Sequence, residues 1–160
     1  MSDFVISWRL SRGRFLDAVS PLNTSQLNWR LHPGVLTAGE MALHVAGVEI
    51  SFAGQLTERP TEGLAARLRA AATDGVVNDN PFPFEAAEIT PELVAQSMEL
   101  AREWVQPILE RPSSELLAKQ IVSALGPVIT GEGALARLAF HPGYHQGQVH
   151  LIATAPGFPT

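Results

Sequence analysis

Apolar residues recur along the chain at helical rather than alternating spacing. Residues 3–20 place Phe4, Trp8, Phe15, Leu16 and Val19 on one helical face, weakened at Gly13 and closed by Pro21. Residues 21–36 read as a loop, with Asn23-Thr24-Ser25 and His32-Pro33-Gly34 as turn signals. Thr37 and Glu40 then form a capping box, in which the threonine oxygen accepts from the Glu40 amide and the glutamate reaches back. Met41, Leu43, Val45, Val48, Ile50 and Phe52 follow, which predicts a helix over 38–56, stopped at Arg59-Pro60. A short helical piece spans 63–73. Thr90-Pro91-Glu92 supplies a cap, an N1 proline and an early acid, and opens a helix over 91–110 that contains Pro107. Residues 112–129 are ambiguous: Ile121-Val122 and Val128-Ile129 fit extended chain around Gly126-Pro127, but they make no good strand pair. Thr130 caps a last helix over 131–154, ended by Pro156-Gly157.

Four substantial helices and one short one, joined by connections of roughly 15–35 residues, predict an all-α fold. Its natural form is an up-and-down four-helix bundle with long connections, in a single domain over 1–160. The 160 residues are enough for one buried core, and 46% hydrophobic against 17% charged residues argues against extended disorder. No apolar run is long enough for a membrane-spanning helix, and the first residues do not read as a signal peptide, so the expected setting is cytoplasmic. A net charge of −5 offers no basic surface to nucleic acid.

The chain has no cysteine and five histidines. Disulfides, thiolate metal sites and a cysteine nucleophile are therefore excluded, and a transition metal must be held by imidazoles and carboxylates. At about 100° per residue, His141 and His145 lie about 40° apart on a stripe shared with Ala134, Leu138, Gln148 and Ile152. That stripe should face the core, where two imidazoles need polar partners or a metal. His150 lies about 180° from His141 and cannot join it. His44 sits on the other strongly capped helix with Glu40, Met41, Val48, Ser51 and Gln55. His44, His141 and His145 can thus converge from two helices on an ion that keeps an open position; alternatively, His44 is a hydrogen-bonded bundle residue. His141-Pro142-Gly143-Tyr144-His145 lacks the glutamate of the H-E-x-x-H proteases, and no P-loop, G-x-G-x-x-G or G-x-S-x-G is present. Pro142 removes one helical hydrogen bond, which predicts a kink or a fresh helix start beside His141. Gln148 is placed either to orient a histidine or to satisfy backbone. Glu49, about 140° from His44, reads as an interhelical or dimer contact. Trp8, Phe15, Phe52 and Trp104 read as core.

The run His141-Pro-Gly-Tyr-His145-Gln-Gly-Gln148-Val resembles the last-helix pattern H-x-x-Y-H-x-G-Q-[IV] of the DinB-like superfamily of four-helix metalloproteins. Thr37-Ala-Gly-Glu40-Met-Ala-Leu-His44-Val-Ala-Gly-Val-Glu49 is similar to its capped second helix, and Leu27-Asn-Trp-Arg-Leu-His-Pro-Gly to the connection before it. The resemblance covers roughly 4–56 and 90–154. It implies a bundle, often a homodimer, with a divalent metal on His44, His141 and His145. Three imidazoles suit zinc or nickel, then iron or copper, rather than magnesium or calcium. His32, before a Pro-Gly turn, matches no ligand position and reads as a surface residue. Characterised relatives include transferases and isomerases that use low-molecular-weight thiols, which implies a metal-dependent thiol transferase. A metal-dependent hydrolase and a non-catalytic, stress-response metal-binding bundle are the alternatives.

Overall fold

A computed structural model of the chain describes residues 2–160. The described residues form α1 (Asp3–Val19), α2 (Thr24–Asn28), α3 (Ala38–Thr57), α4 (Gly63–Ala71), α5 (Pro91–Glu110), α6 (Ser114–Ala118), β1 (Gln120–Val122), β2 (Val128–Thr130) and α7 (Gly131–Ala153). The four long helices α1, α3, α5 and α7 are those the apolar spacing predicts, with ends displaced by at most one residue. The all-α expectation holds.

The start signals work as their chemistry requires. The side chains of Thr37, Thr90 and Thr130 accept from the amides of Glu40, Leu93 and Gly133, and Glu40 reciprocates at the Thr37 amide over 2.8 Å. Pro107 and Pro142 both sit inside unbroken helices. The fresh helix start that Pro142 could have produced is therefore absent. Eight buried residues of α7, Pro142 among them, pack against the bundle and outweigh the proline cost of about 3 kcal/mol.

Two short helices correct the reading of residues 21–36 and 112–129. Asn23, read as a turn signal, is the N-cap of α2 in a reciprocal box with Gln26, and Ser113 caps α6. Asx chemistry at a turn and at a helix start is the same hydrogen bond, so local sequence does not separate them. The expectation of no strand pair is also corrected. β1 and β2 pair antiparallel with Gln120 opposite Thr130 and Val122 opposite Val128. Strands of three residues are too short to show a period of two. They are held from outside: the Val122 amide donates to Gln55 Oε1 at 3.2 Å and the Gly131 amide to the Lys119 carbonyl at 2.7 Å.

Around the bundle α1 packs on α7, α7 on α3, α3 on α5 and α5 on α1. Ser2 bonds Leu109 and Arg12 bonds Met98, so α1 and α5 run antiparallel. His44 meets α7 at residues 141 and 145 while Leu56 lies near Gly131, so α3 and α7 are antiparallel as well. The Glu49–Arg12–Met98 contacts and the Gly54–Trp104 approach place α3 and α5 side by side in one direction. Direction therefore alternates from α1 to α3 and from α5 to α7. The crossover between α3 and α5 accounts for the long connection that carries α4. Fully buried Phe15, Leu43, Ile50, Leu109, Leu135 and Leu138 fill the centre, and Trp8, Phe52 and Trp104 join them as expected.

α3 is the helix with most neighbours, and nearly every residue of it from Ala38 to Gly54 is buried. One close approach makes this possible. A Cβ at Gly47 would stand 2.1 Å from the Leu68 carbonyl oxygen, so only glycine lets the α4 backbone lie against α3. This docking carries the end of α4 to the site. Among the described residues no helix is long and apolar enough to cross a membrane.

Candidate metal centre

His44, on the middle of α3, and His141 and His145, one turn apart on α7, bring their rings together. Ring centroids are 4.5 Å apart for His141 and His145, and 5.0 Å for His44 with each of the others. One nitrogen from each ring lies within 4.8 Å of the other two, a grouping that can hold a metal ion. His44 and His145 are buried and His141 is half-buried.

The hydrogen bonds assign tautomers. His44 Nδ1 lies 2.9 Å from the Ala71 carbonyl, which can only accept, so Nδ1 carries the hydrogen and Nε2 a lone pair. His145 Nδ1 lies 2.6 Å from Gln148 Oε1, also an acceptor, so its Nε2 likewise keeps a lone pair. Gln148 thus bonds the ligand-type histidine rather than backbone. His141 Nε2 is 3.1 Å from His145 Nε2 and donates to it, which leaves His141 Nδ1 buried with no partner. Burial holds all three rings neutral. It lowers His44 against the opposing Ala71 bond, and it lowers His141 to about 2, helped by the repulsion a protonated His141 would meet from protonated His145 and His44. Burial, and the repulsion between protonated His145 and protonated His44, bring His145 down to about 4, against the Gln148 bond. Convergent lone pairs on neutral rings, with an orphaned buried nitrogen beside them, fit the requirements of a transition-metal ion.

Tyr144 lies edge-on to His145 at 5.0 Å and pairs with Phe140 at 6.1 Å on the exposed flank of α7. The histidines set aside by turn context and by spacing lie elsewhere: His32 is exposed in its turn, and His150 is exposed on α7.

Glu49 makes the interhelical contact expected of it. Its carboxylate accepts from Trp8 Nε1 at 2.7 Å and Arg12 Nε at 3.0 Å, while Arg12 also donates to the Met98 carbonyl. Burial pushes the Glu49 carboxyl up, opposed by the Arg12 charge and by the bonds from Trp8 and Arg12. Sequence reasoning missed the Ala71 carbonyl as a partner of His44. A backbone oxygen delivered by another helix leaves no mark in side-chain spacing, although Gly47, which admits that helix, does.

The family model of the DinB superfamily matches residues 7–149. A comparison with curated proteins finds no match. Among solved structures the chain is similar to the crystal structure of a conserved protein from Enterococcus faecalis, with a TM-score of 0.67 and 15% identity over 93% of this chain and 92% of that one. At that identity the likeness concerns the fold.

Proposed function

This chain belongs to the DinB superfamily, and from that premise we propose that it is a metal-dependent thiol transferase whose His44, His141 and His145 hold a divalent zinc or nickel ion. The observation that carries this reading is the pair of committed Nδ1 hydrogens. With Ala71 and Gln148 holding them, His44 and His145 present Nε2 lone pairs to one point without any rearrangement. His141 joins them through Nε2 once its hydrogen moves to the unpartnered Nδ1.

When bound, the ion supplies Lewis acidity that keeps a thiol in its anionic form near neutral pH. Three protein ligands leave a position for that thiol, as in catalytic rather than structural zinc sites. The chain's own residues hold the geometry. The neutral imidazoles bind, Gln148 orients His145, and the Ala71 carbonyl orients His44. The absence of cysteine makes the thiol a ligand from outside the chain. Exposed Phe140 and Tyr144 flank the histidines and suit the apolar part of an electrophile.

Metal analysis of the purified protein tests the site. We expect about one ion per chain in the wild type and near none in His44→Ala and His145→Ala; equal content in all three would refute the ligand set. The chemistry is tested by mixing a small thiol with a model electrophile. Conjugation that is no faster with metal than after chelation would refute the transferase reading.

A further inference from the structure

Arg137 stands out among the cations of the described residues. The others that are not exposed each pair with a glutamate: Arg12 with Glu49, Arg102 with Glu99, Lys119 with Glu58. Half-buried Arg137 has no such partner. Its one bond donates from Nη1 to Ser123 Oγ at 2.7 Å, and Ser123 is itself buried in the β1–β2 hairpin. A guanidinium carries five donors in a planar fork, so Nε and Nη2 remain for a ligand.

The position of Arg137 relates this fork to the histidines. Arg137 precedes His141 by four residues, about 40° away around α7 and about 6 Å along its axis. Helical side chains lean toward the N-terminus, and the bond to Ser123 draws the head further toward the hairpin. The facing side of α3 is less buried along the stretch between them. Val48, Ser51 and Gln55 follow His44 on its own stripe and stay half-buried on a helix otherwise buried almost throughout. Because α3 and α7 run antiparallel, that strip leads from His44 toward the hairpin, where Gln55 accepts from Val122. It presents no carboxylate.

We propose that Arg137 anchors an oxyanion, carboxylate or phosphate, at the far end of an extended ligand whose metal-binding atom sits at the three histidines. This rests on the metal reading above and names the substrate class: a thiol that bears an anion several bonds from its sulfur. Ser123 is a positioning residue that aims the fork.

The test uses the full chain loaded with cobalt(II), whose visible spectrum reports a ligand entering the metal's open position. Mercaptohexanoic acid is titrated against its uncharged primary amide. Hydroxamates carrying the same two tails, and one with a phosphate tail, form a parallel set that does not depend on thiol chemistry. In the wild type the anionic tail is expected to bind about tenfold more tightly than the amide. Arg137→Gln should remove that preference while leaving amide affinity and cobalt content unchanged; Arg137→Lys should keep part of it and Ser123→Ala most of it. Equal binding of acid and amide by the wild type, or a preference that survives Arg137→Gln, overturns the proposal. Tail preference among the hydroxamates with silent thiols supports Arg137 and overturns the thiol reading. Loss of cobalt from the wild type overturns both.

Discussion

Two polar clusters are buried against α3, on different sides of it, and they are built on opposite principles. Around Glu49, every strong group is used internally: the carboxylate takes Trp8 and Arg12, and Arg12 takes Met98 as well. Around His44, the hydrogen bonds are spent on the outer nitrogens, and the inner ones face one another with lone pairs to spare. The first cluster is electrically closed and joins α1, α3 and α5. The second joins α3 and α7 and keeps lone pairs that can hold a metal ion. Burial alone therefore does not mark a candidate site; buried lone pairs that converge after the protein's own bonds are made do.

The sharpest way to break the contrast is to open the closed cluster. Glu49→Ala leaves the Arg12 guanidinium buried without its counter-charge and should cost about 3–5 kcal/mol in urea unfolding, with metal content of the folded fraction unchanged. A loss below about 1 kcal/mol would mean that Arg12 finds water. Acid should act on the open cluster instead. The folded pKa values of its histidines lie below the unfolded value near 6.5, so their contribution to stability is complete above that pH and is lost as pH falls toward about 4. Chelated protein should lose up to about 4 kcal/mol between pH 7 and 5.5, from three imidazoles at about 1.4 kcal/mol per unit each below the unfolded value. A variant with all three histidines replaced by alanine should lose much less stability over the same range.

Smaller effects sharpen the comparison. Gln148→Ala should weaken metal binding about 10- to 100-fold by freeing the tautomer of His145, while changing the chelated protein's stability little. An unchanged metal affinity would return Gln148 to a packing role. Trp8→Phe should cost only about 1 kcal/mol, because the carboxylate keeps Arg12 when the indole bond is lost; thermal denaturation measures it.

The elements whose signals are local were readable from sequence. Thr37, Thr90 and Thr130 marked the helix starts, the 3.6-residue period placed His44, His141 and His145 on inward faces and set His150 apart, and the Pro-Gly turn set His32 aside. What escaped depends on contacts between distant segments. The hairpin is three residues a side and is held by Gln55 and Lys119, so no period announced it. Pro142 pointed to a break that tertiary packing overrides. Glu49 was recognisable as an interhelical contact, but not its partner Arg12, because nothing in spacing pairs two particular helices. Arg137 drew no notice on the same grounds: its isolation is visible only once every other sheltered cation has found its acid.

The approach at Gly47 has a consequence in time as well as in space. α4 is nine residues long, no side chain caps its start, and the oxygen that settles His44 is its last one. Such a segment opens at a lower free energy than the bundle around it. Each opening releases the His44 hydrogen and lets that ring turn over. Amide exchange in α4 should therefore set the tempo at which an ion can enter or leave, far faster than global unfolding, and an ion bound to His44 should slow that exchange in return.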